Sequence, residues 1–295
     1  MFSVDYLEFF GLKDYPFRLT PDTKYFYPSY THKAILHILT YALKRGDGFS
    51  VIVGEPGVGK TMLLRYLLNN INPGYQTALL LTPSLSPVEL LQALLDDLGL
   101  DYNNSSKELL FRYFRDYLIS LSLKEQRLLL IIDEAQNLPE DTLEEIRLLS
   151  NLETEDRKLL QIILAGQPSL KHKLSSLRLS QLFQRITIWE ELQPLSVNEI
   201  KNYILYRLSI AGSSDIFIDD SSFKLIKFFT KGLPRLINKL MDRILLFAAS
   251  KGEKYISPSL VYSAFETFGP KNFNFFNKLR FYFYQILPNC DLIKL

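Results

Sequence analysis

One short stretch decides how this chain folds, and it reads Gly54-Glu55-Pro56-Gly57-Val58-Gly59-Lys60-Thr61. It fits the pattern G-x-x-x-x-G-K-[ST], in which a glycine-rich loop cradles phosphate groups with its backbone N–H groups. An apolar run over 49–53 enters the loop, and an apolar-periodic segment over 62–68 leaves it. The stretch therefore predicts a strand, a phosphate-binding loop and a helix in succession.

The residue types in this loop suit anion binding. Glycines let the backbone approach phosphate oxygens, and the N-terminus of the next helix adds unpaired N–H groups and a positive dipole end. We expect Lys60 to bridge the β- and γ-phosphates and the Thr61 hydroxyl to ligate Mg²⁺. The residues expected to contact the nucleotide are Gly54, Glu55, Pro56, Gly57, Val58, Gly59, Lys60, Thr61 and Met62.

A second motif follows the apolar run 128–132, which ends in Asp133 and Glu134. Asp133 would close a buried strand and hold the magnesium ion, and Glu134 would orient the attacking water. Taken alone, the pair is also compatible with two solvated carboxylates at a strand end. Next to the phosphate loop it predicts an ATP hydrolase. The run nearest to a guanine-reading N-K-x-D box is Asn238-Lys239-Leu240-Met241, which lacks the aspartate. The sequence therefore favours ATP over GTP.

The bulk composition excludes several other classes of protein. A net charge of +2 over 295 residues gives no general bias toward nucleic acid, and the single cysteine, Cys290, excludes internal disulfides. Three dispersed histidines predict no metal cluster. The first residues lack a basic start and an apolar core, and no run approaches the length of a membrane span. We therefore expect a cytoplasmic protein.

Apolar strands alternate with helical patterns as far as residue 193, which predicts an α/β fold with a parallel sheet covered on both faces. The predicted strands are 49–53, 77–81, 128–132, 159–165 and 186–188, and the predicted helices begin near residues 29, 62, 86, 105 and 140. From residue 194 only helices are expected, over 196–210, 221–230, 233–250 and 257–268. We predict a nucleotide-binding domain over 1–193, a small helical domain over 194–268 and a tail over 269–295.

The chain resembles the AAA+ superfamily, and within it the GspA/ExeA-like ATPases of type II secretion and pilus biogenesis. The resemblance covers roughly residues 1–268 and rests on several motifs. These are the opening Tyr6-x-x-Phe9-Phe10-Gly11-Leu12-x-x-x-Pro16-Phe17-x-x-x-Pro21-Asp22, the stretch 132–138, the segment 144–154, Gly166-Gln167-Pro168-x-Leu170, and Gln184-Arg185-Ile186. It implies a three-layer αβα P-loop NTPase core with a C-terminal helical lid. Secretion members carry a transmembrane helix and a peptidoglycan-binding domain after the ATPase, and the shorter relatives fit this chain better.

The resemblance also implies roles for single residues. Gln167 would be the polar sensor at the tip of the fourth core strand, although it is also compatible with a strand cap. Arg185 would be the arginine that reaches the neighbouring subunit's γ-phosphate, with Arg178 as the second choice. Arg235, in Gly232-Leu233-Pro234-Arg235, would reach the γ-phosphate from the lid. An arginine supplied by a neighbour implies a ring or another oligomer.

The leading functional hypothesis is an ATP-driven factor that assembles or remodels a secretion or pilus machine, with secretion or pilus proteins as partners. The alternatives are a DNA-binding ATPase that regulates transposition and a nucleotide-controlled scaffold. The basic candidates for DNA binding are Lys171-His172-Lys173 with Arg178, and the set Lys224, Lys227 and Lys231. The aromatic, basic tail 271–295 would lie in a membrane interface, dock a partner, pack on its own domain or be partly disordered.

Overall fold

A computed structural model describes residues 5–81, 84–102, 106–154, 158–212 and 216–267. Its main sheet consists of β1 (Phe49–Val53), β2 (Tyr75–Leu80), β3 (Arg127–Ile132), β4 (Leu160–Gly166) and β5 (Ile186–Glu191). All neighbouring strands are parallel, and their order is β2-β3-β4-β1-β5. The strand that leads into the phosphate loop therefore lies inside the sheet, between β4 and β5.

Twelve α-helices are found in the described ranges. They are α1 (Tyr6–Phe10), α2 (Tyr30–Arg45), α3 (Lys60–Asn69), α4 (Pro87–Asp97), α5 (Lys107–Leu123), α6 (Glu140–Leu149), α7 (Ser169–Leu174), α8 (Ser180–Phe183), α9 (Val197–Ile210), α10 (Asp220–Thr230), α11 (Pro234–Lys251) and α12 (Pro258–Glu266).

The sheet is covered on both faces, as its interior strand β3 shows. Leu128, Leu130 and Ile132 pack in one hydrophobic core with α4, α5 and α6, whereas Leu129 and Ile131 pack in another with α2 and α3. Successive side chains of a strand point to opposite faces, so the five buried apolar residues of this run alternate between the two cores. The predicted three-layer α/β fold is confirmed.

The starts of the helices follow the capping residues that the sequence places there. Ser86 caps α4 in a capping box with Glu89, and the Ser29 hydroxyl accepts a hydrogen bond from His32 N at the start of α2. The last strand is longer than predicted. Glu190 and Glu191 continue β5 beside Ile52 and Val53, but their charged side chains interrupt the apolar pattern from which the strand was predicted.

The C-terminal helices α9 to α12 form a separate hydrophobic core. Two short strands lie among them, β6 (Phe217–Ile218) and β7 (Tyr255–Ile256), and they pair in parallel. The expectation that only helices follow residue 194 is wrong at this point, because two-residue strands are too short to show an alternating pattern. None of the helices in the described ranges is long and apolar enough to cross a membrane.

The aromatic N-terminal segment packs against these C-terminal helices. Tyr6, Phe10, Phe17 and Tyr25 lie in the same hydrophobic core as α9 to α12. The Tyr6 hydroxyl donates to Asp242 Oδ1 at 2.6 Å. The domain boundary at residue 193 stays a prediction, and the predicted tail 269–295 lies outside the described residues.

Candidate active site

Three motifs meet at one edge of the sheet because parallel strands end on the same side. The phosphate loop follows β1, the acidic pair follows β3, and Gln167 follows β4. In the sheet β4 lies between β1 and β3. The motifs are distant in sequence, but the strand order places them next to one another.

The loop holds a buried lysine. Lys60 is 5% exposed, and its ammonium group donates to the carbonyl oxygens of Gly54 at 2.8 Å and Glu55 at 3.3 Å. Burial lowers the pKa of Lys60, and the nearby carboxylates of Glu134, Asp133 and Glu55 oppose that shift. The lysine is therefore fixed at the loop by backbone carbonyls.

The other loop residues surround this lysine. Gly57 and Gly59 have left-handed φ angles of +82° and +116°, which glycine adopts without strain. Val58 is buried under the loop. Glu55 and Pro56 are exposed at its tip, and Met62 lines the adjoining cavity.

The C-terminal helices touch the loop through the start of α11. Arg235 N donates to Gly57 O at 3.2 Å. A Cβ atom on Gly57 would lie 2.8 Å from the Arg235 Cβ, so only glycine permits this approach. Arg235 itself is exposed and lines the cavity beside the loop. The structure thus brings this predicted residue to the phosphate site.

The acidic pair lies directly against the loop. Asp133 is 2% exposed and accepts a hydrogen bond from the Thr61 hydroxyl through Oδ2. Its other oxygen accepts from Glu134 N at 2.9 Å. A threonine hydroxyl and a carboxylate are oxygen ligands of the type that Mg²⁺ prefers. Both predicted metal ligands therefore lie together and fit that ion.

Glu134 and Gln167 are also brought together, and a third residue joins them. Glu134 Oε2 accepts from Gln136 Nε2 at 2.6 Å and from Gln167 Nε2 at 3.3 Å. Gln136 Oε1 accepts from Gln167 N at 3.0 Å. Gln136 was not among the predicted site residues, although an amide two residues after a candidate catalytic glutamate is the signal by which it could have been found.

Arg185 lies away from the phosphate loop of its own chain. Ile186 pairs with Phe49 at the start of β1, whereas the loop follows Val53 at its end. Five strand residues span about 16 Å, which is beyond the reach of an arginine side chain. Arg185 Nη1 donates to Ser150 Oγ at 2.9 Å and Arg147 O at 3.4 Å. Arg178 is exposed and pairs with Asp141 and Glu140.

A cavity of about 320 Å³ adjoins the loop. Its walls come from three parts of the chain: the loop with Glu134, the N-terminal segment, and the C-terminal helices. The N-terminal residues are 18–21 and 25–27, and the helical ones include Tyr203, Arg207 and Asn238. The place of the aromatic N-terminal segment in the cavity wall was not predicted from the sequence.

A hydrogen-bonded chain ties the N-terminal segment to the helices around this cavity. Arg207 is buried and donates to Pro16 O and to the Tyr203 hydroxyl. The Tyr203 hydroxyl donates to Asn238 Oδ1 at 2.6 Å, and Asn238 Nδ2 donates to Arg18 O at 3.2 Å. The Arg207 guanidinium also lies 4.8 Å from the centre of the Tyr25 ring. These bonds couple the N-terminal segment to the C-terminal helices on this side of the cavity.

His32, which was not among the predicted site residues, lies against the phosphate loop. The ring is 3% exposed, and its Nδ1 is hydrogen-bonded to Ser29 Oγ at 2.6 Å. A Cβ atom on Gly59 would lie 2.9 Å from His32 Nε2. Burial lowers the pKa of His32 to about 4, although the Glu199 carboxylate opposes the shift. The imidazole is therefore neutral at physiological pH.

Comparisons with known proteins agree with this geometry. A family model described as an AAA domain matches residues 43–174. General secretion pathway protein A of Aeromonas hydrophila is 38% identical over 266 residues, which are 90% of this chain and 49% of that protein. The chain thus spans about half the length of this curated relative.

Solved structures share the fold at low identity. The ORC2 protein of Aeropyrum pernix, in ADPNP–ADP complexes, superimposes with a TM-score of 0.60 and 17% identity, covering 79% of this chain and 66% of that one. The ORC1 protein of Aeropyrum pernix, in complex with DNA, superimposes with a TM-score of 0.59 and 18% identity, covering 85% of this chain and 68% of that one. The chain is therefore an AAA+ protein, related over most of its length to General secretion pathway protein A.

Proposed function

We propose that this chain binds ATP with Mg²⁺ and hydrolyses it. The observation that carries the proposal is the convergence of Lys60, Thr61, Asp133 and Glu134 at one sheet edge, beside a cavity of nucleotide size. Lys60 would hold the β- and γ-phosphates, and the cavity between the N-terminal segment and the C-terminal helices would take the base and ribose.

The chemistry follows from these positions. Mg²⁺, held by Thr61 and Asp133, would neutralise charge on the phosphates. Glu134 would accept a hydrogen bond and then the proton from a water whose oxygen attacks the γ-phosphorus. The bond from phosphorus to the β,γ-bridging oxygen breaks, and ADP departs with the electron pair. Lys60 and Arg235 stabilise the negative charge that develops, and Gln167 keeps its contact with Glu134.

Arg185 would act on the site of a neighbouring copy. Its position at the far end of β5 excludes a role at its own phosphates, and an arginine supplied by a neighbour makes turnover depend on assembly. We infer that the working form is an oligomer and that hydrolysis moves the C-terminal helices relative to the sheet.

The cellular role that we propose is assembly or remodelling of a cell-envelope secretion or pilus machine at the cytoplasmic face of the inner membrane. The similarity to General secretion pathway protein A supports this role.

Regulation of transposition through DNA binding is the second candidate, because the fold is also that of ORC1, which was solved with DNA. In each of the two basic sets that would contact DNA, one lysine is already hydrogen-bonded within the protein. Lys173 donates to the carbonyls of Gln136 and Leu138. Lys227 donates to those of Leu195 and Lys231. Because these ammonium groups are bound internally, we favour a protein partner.

Replacement of Glu134 tests the hydrolysis. We expect Glu134→Gln to lower the ATPase rate by at least about 100-fold while ATP binding is retained, because only the water-orienting carboxylate is lost. Glu125→Gln is the matched control, since Glu125 is exposed and shares the left-handed backbone of Glu134. A Glu134→Gln variant that hydrolyses ATP at the wild-type rate would refute the assignment.

The same variant separates the two cellular roles. Glu134→Gln with ATP should form a stable assembly, seen by sedimentation, and should not bind duplex DNA at physiological salt. Weak phosphate contacts fade at that ionic strength. Tight, ATP-dependent binding of duplex DNA would overturn the envelope role and favour regulation of transposition.

A further inference from the structure

The side chain of Gln136 makes two hydrogen bonds, one as a donor and one as an acceptor. Its Nε2 donates to Glu134 Oε2 at 2.6 Å, and its Oε1 accepts from Gln167 N at 3.0 Å. One amide therefore joins Glu134, two residues after β3, to Gln167, the residue directly after β4. An amide that uses both its donor and its acceptor has a fixed orientation, because a flip would lose both bonds.

Gln136 is itself held in place from three sides. It lies in a single 3₁₀ turn, Ala135–Asn137, that follows the left-handed backbone of Glu134. Its carbonyl oxygen accepts from Lys173 Nζ at 2.6 Å. A Cβ atom at Gly166 would lie 2.8 Å from Gln136 Oε1, so the side chain fits only because that residue is glycine. The amide is thus a rigid part of the site.

The donors to Glu134 all reach the same carboxylate oxygen. Gln136 Nε2 and Gln167 Nε2 both donate to Oε2. Within the described ranges no side chain or backbone group bonds to Oε1, although Glu134 lines the cavity. One oxygen is therefore anchored, and the other is left to accept a hydrogen bond from water.

We propose that Gln136 is a positioning residue for ATP hydrolysis, which fixes the Glu134 carboxylate through Oε2 so that Oε1 meets the attacking water. This proposal rests on the proposed function. Gln136 does not touch the nucleotide in this arrangement, and its effect passes through Glu134. The 2.6 Å bond is the shorter of the two to Oε2, so Gln136 is the main anchor and Gln167 the lesser one.

The test is a set of variants in the full chain. Gln136→Leu keeps the volume of the side chain but removes both hydrogen bonds. Gln136→Glu keeps an acceptor for Gln167 N but places a second carboxylate against Glu134. Asn137→Leu is the matched control, because Asn137 is an exposed amide in the same 3₁₀ turn. ATP affinity and the denaturation midpoint are measured for every variant.

We expect both Gln136 variants to lower kcat by about 10- to 100-fold, with the ATP dissociation constant changed less than about threefold. Asn137→Leu should behave as the wild type. In the Glu134→Gln background, Gln136→Leu should cause less than about a twofold further loss, since two residues that act as one unit are not additive. A merely structural role would lower activity in both backgrounds.

The outcomes separate this proposal from the one on which it rests. If the wild-type chain hydrolyses ATP and Gln136→Leu keeps the wild-type kcat or raises it, the positioning role is refuted and the proposed function stands. An equal loss in both backgrounds, or a loss explained by weaker ATP binding, also refutes it. If the wild-type chain binds ATP without turnover, the proposed function itself fails.

Discussion

The imidazole of His32 is buried directly beneath the phosphate loop, with a pKa lowered to about 4 from the ordinary 6.5. The unfolded chain therefore takes up a proton on this ring at a higher pH than the folded protein does. The free energy of unfolding must decrease as the pH falls from about 7 to about 4. The size of the shift corresponds to about 3 kcal/mol.

Replacing this ring should remove its share of the pH dependence. We expect the stability advantage of the wild type over His32→Gln to shrink by about 2–3 kcal/mol between pH 7.5 and pH 4.5, as measured by urea denaturation. His37→Gln is the control, because His37 is exposed on the same helix. A constant difference between wild type and His32→Gln across this range would contradict the assignment of a buried neutral ring.

At the scale of elements, one of the links between the sheet and the C-terminal helices requires a glycine. Gly232 has a φ angle of +79°, and a Cβ atom there would lie 2.2 Å from Leu195 O. Gly232 O accepts from Leu195 N at 2.9 Å, and Lys227 Nζ donates to Leu195 O at 2.8 Å. The segment after β5 is thus fastened to the turn between α10 and α11.

An alanine at this position should loosen that connection. We expect Gly232→Ala to lower the free energy of unfolding by about 2–4 kcal/mol, since the left-handed backbone is strained and the carbonyl of Leu195 must move. Gly252→Ala should cost only about 1 kcal/mol, because Gly252 has a similar φ of +69° and open space around it. If denaturant titration gave the same loss of unfolding free energy for both variants, the close approach of Gly232 to Leu195 O would not contribute to the cost of the substitution.

The elements around the phosphate loop are those that the sequence predicts well. A run such as 128–132 is apolar throughout, and Ser86 with Glu89 marks a helix start by itself, so local patterns suffice there. Contacts between distant segments leave no such pattern. The role of Gln136 beside Gln167 and the place of the N-terminal segment depend on the strand order and on packing across the whole chain.

At the scale of the whole molecule, the position of Arg185 has a consequence for activity. Under the proposed role of Arg185, the site is complete only in an assembly, so we expect the ATPase rate per chain to rise with protein concentration. We expect Arg185→Ala to retain ATP binding and to lose at least about 100-fold in turnover. Arg178→Ala should lose far less, because the exposed Arg178 is already paired with Glu140 and Asp141 of α6.

Mixing two inactive variants provides the sharper test of Arg185. A Glu134→Gln chain still carries Arg185, and an Arg185→Ala chain still carries Glu134, so a mixture should regain ATPase activity at the interfaces that combine them. Arg178→Ala, prepared in the same way, is the comparison. An Arg178→Ala chain that is inactive alone and regains activity on mixing with Glu134→Gln, together with an Arg185→Ala chain that stays active, would transfer the role to Arg178.

The contacts of the N-terminal segment also set the order in which the molecule is completed on the ribosome. Tyr6 bonds to a residue 236 positions further along the chain, and Arg18 to one 220 positions further. At about 5–20 residues per second, that interval is roughly 10–50 s of translation. Until then the core that takes up Tyr6, Phe10 and Phe17 is incomplete, although the strands of the sheet are already made. The nascent chain therefore gains its phosphate loop long before its nucleotide cavity, which closes only when α11 emerges.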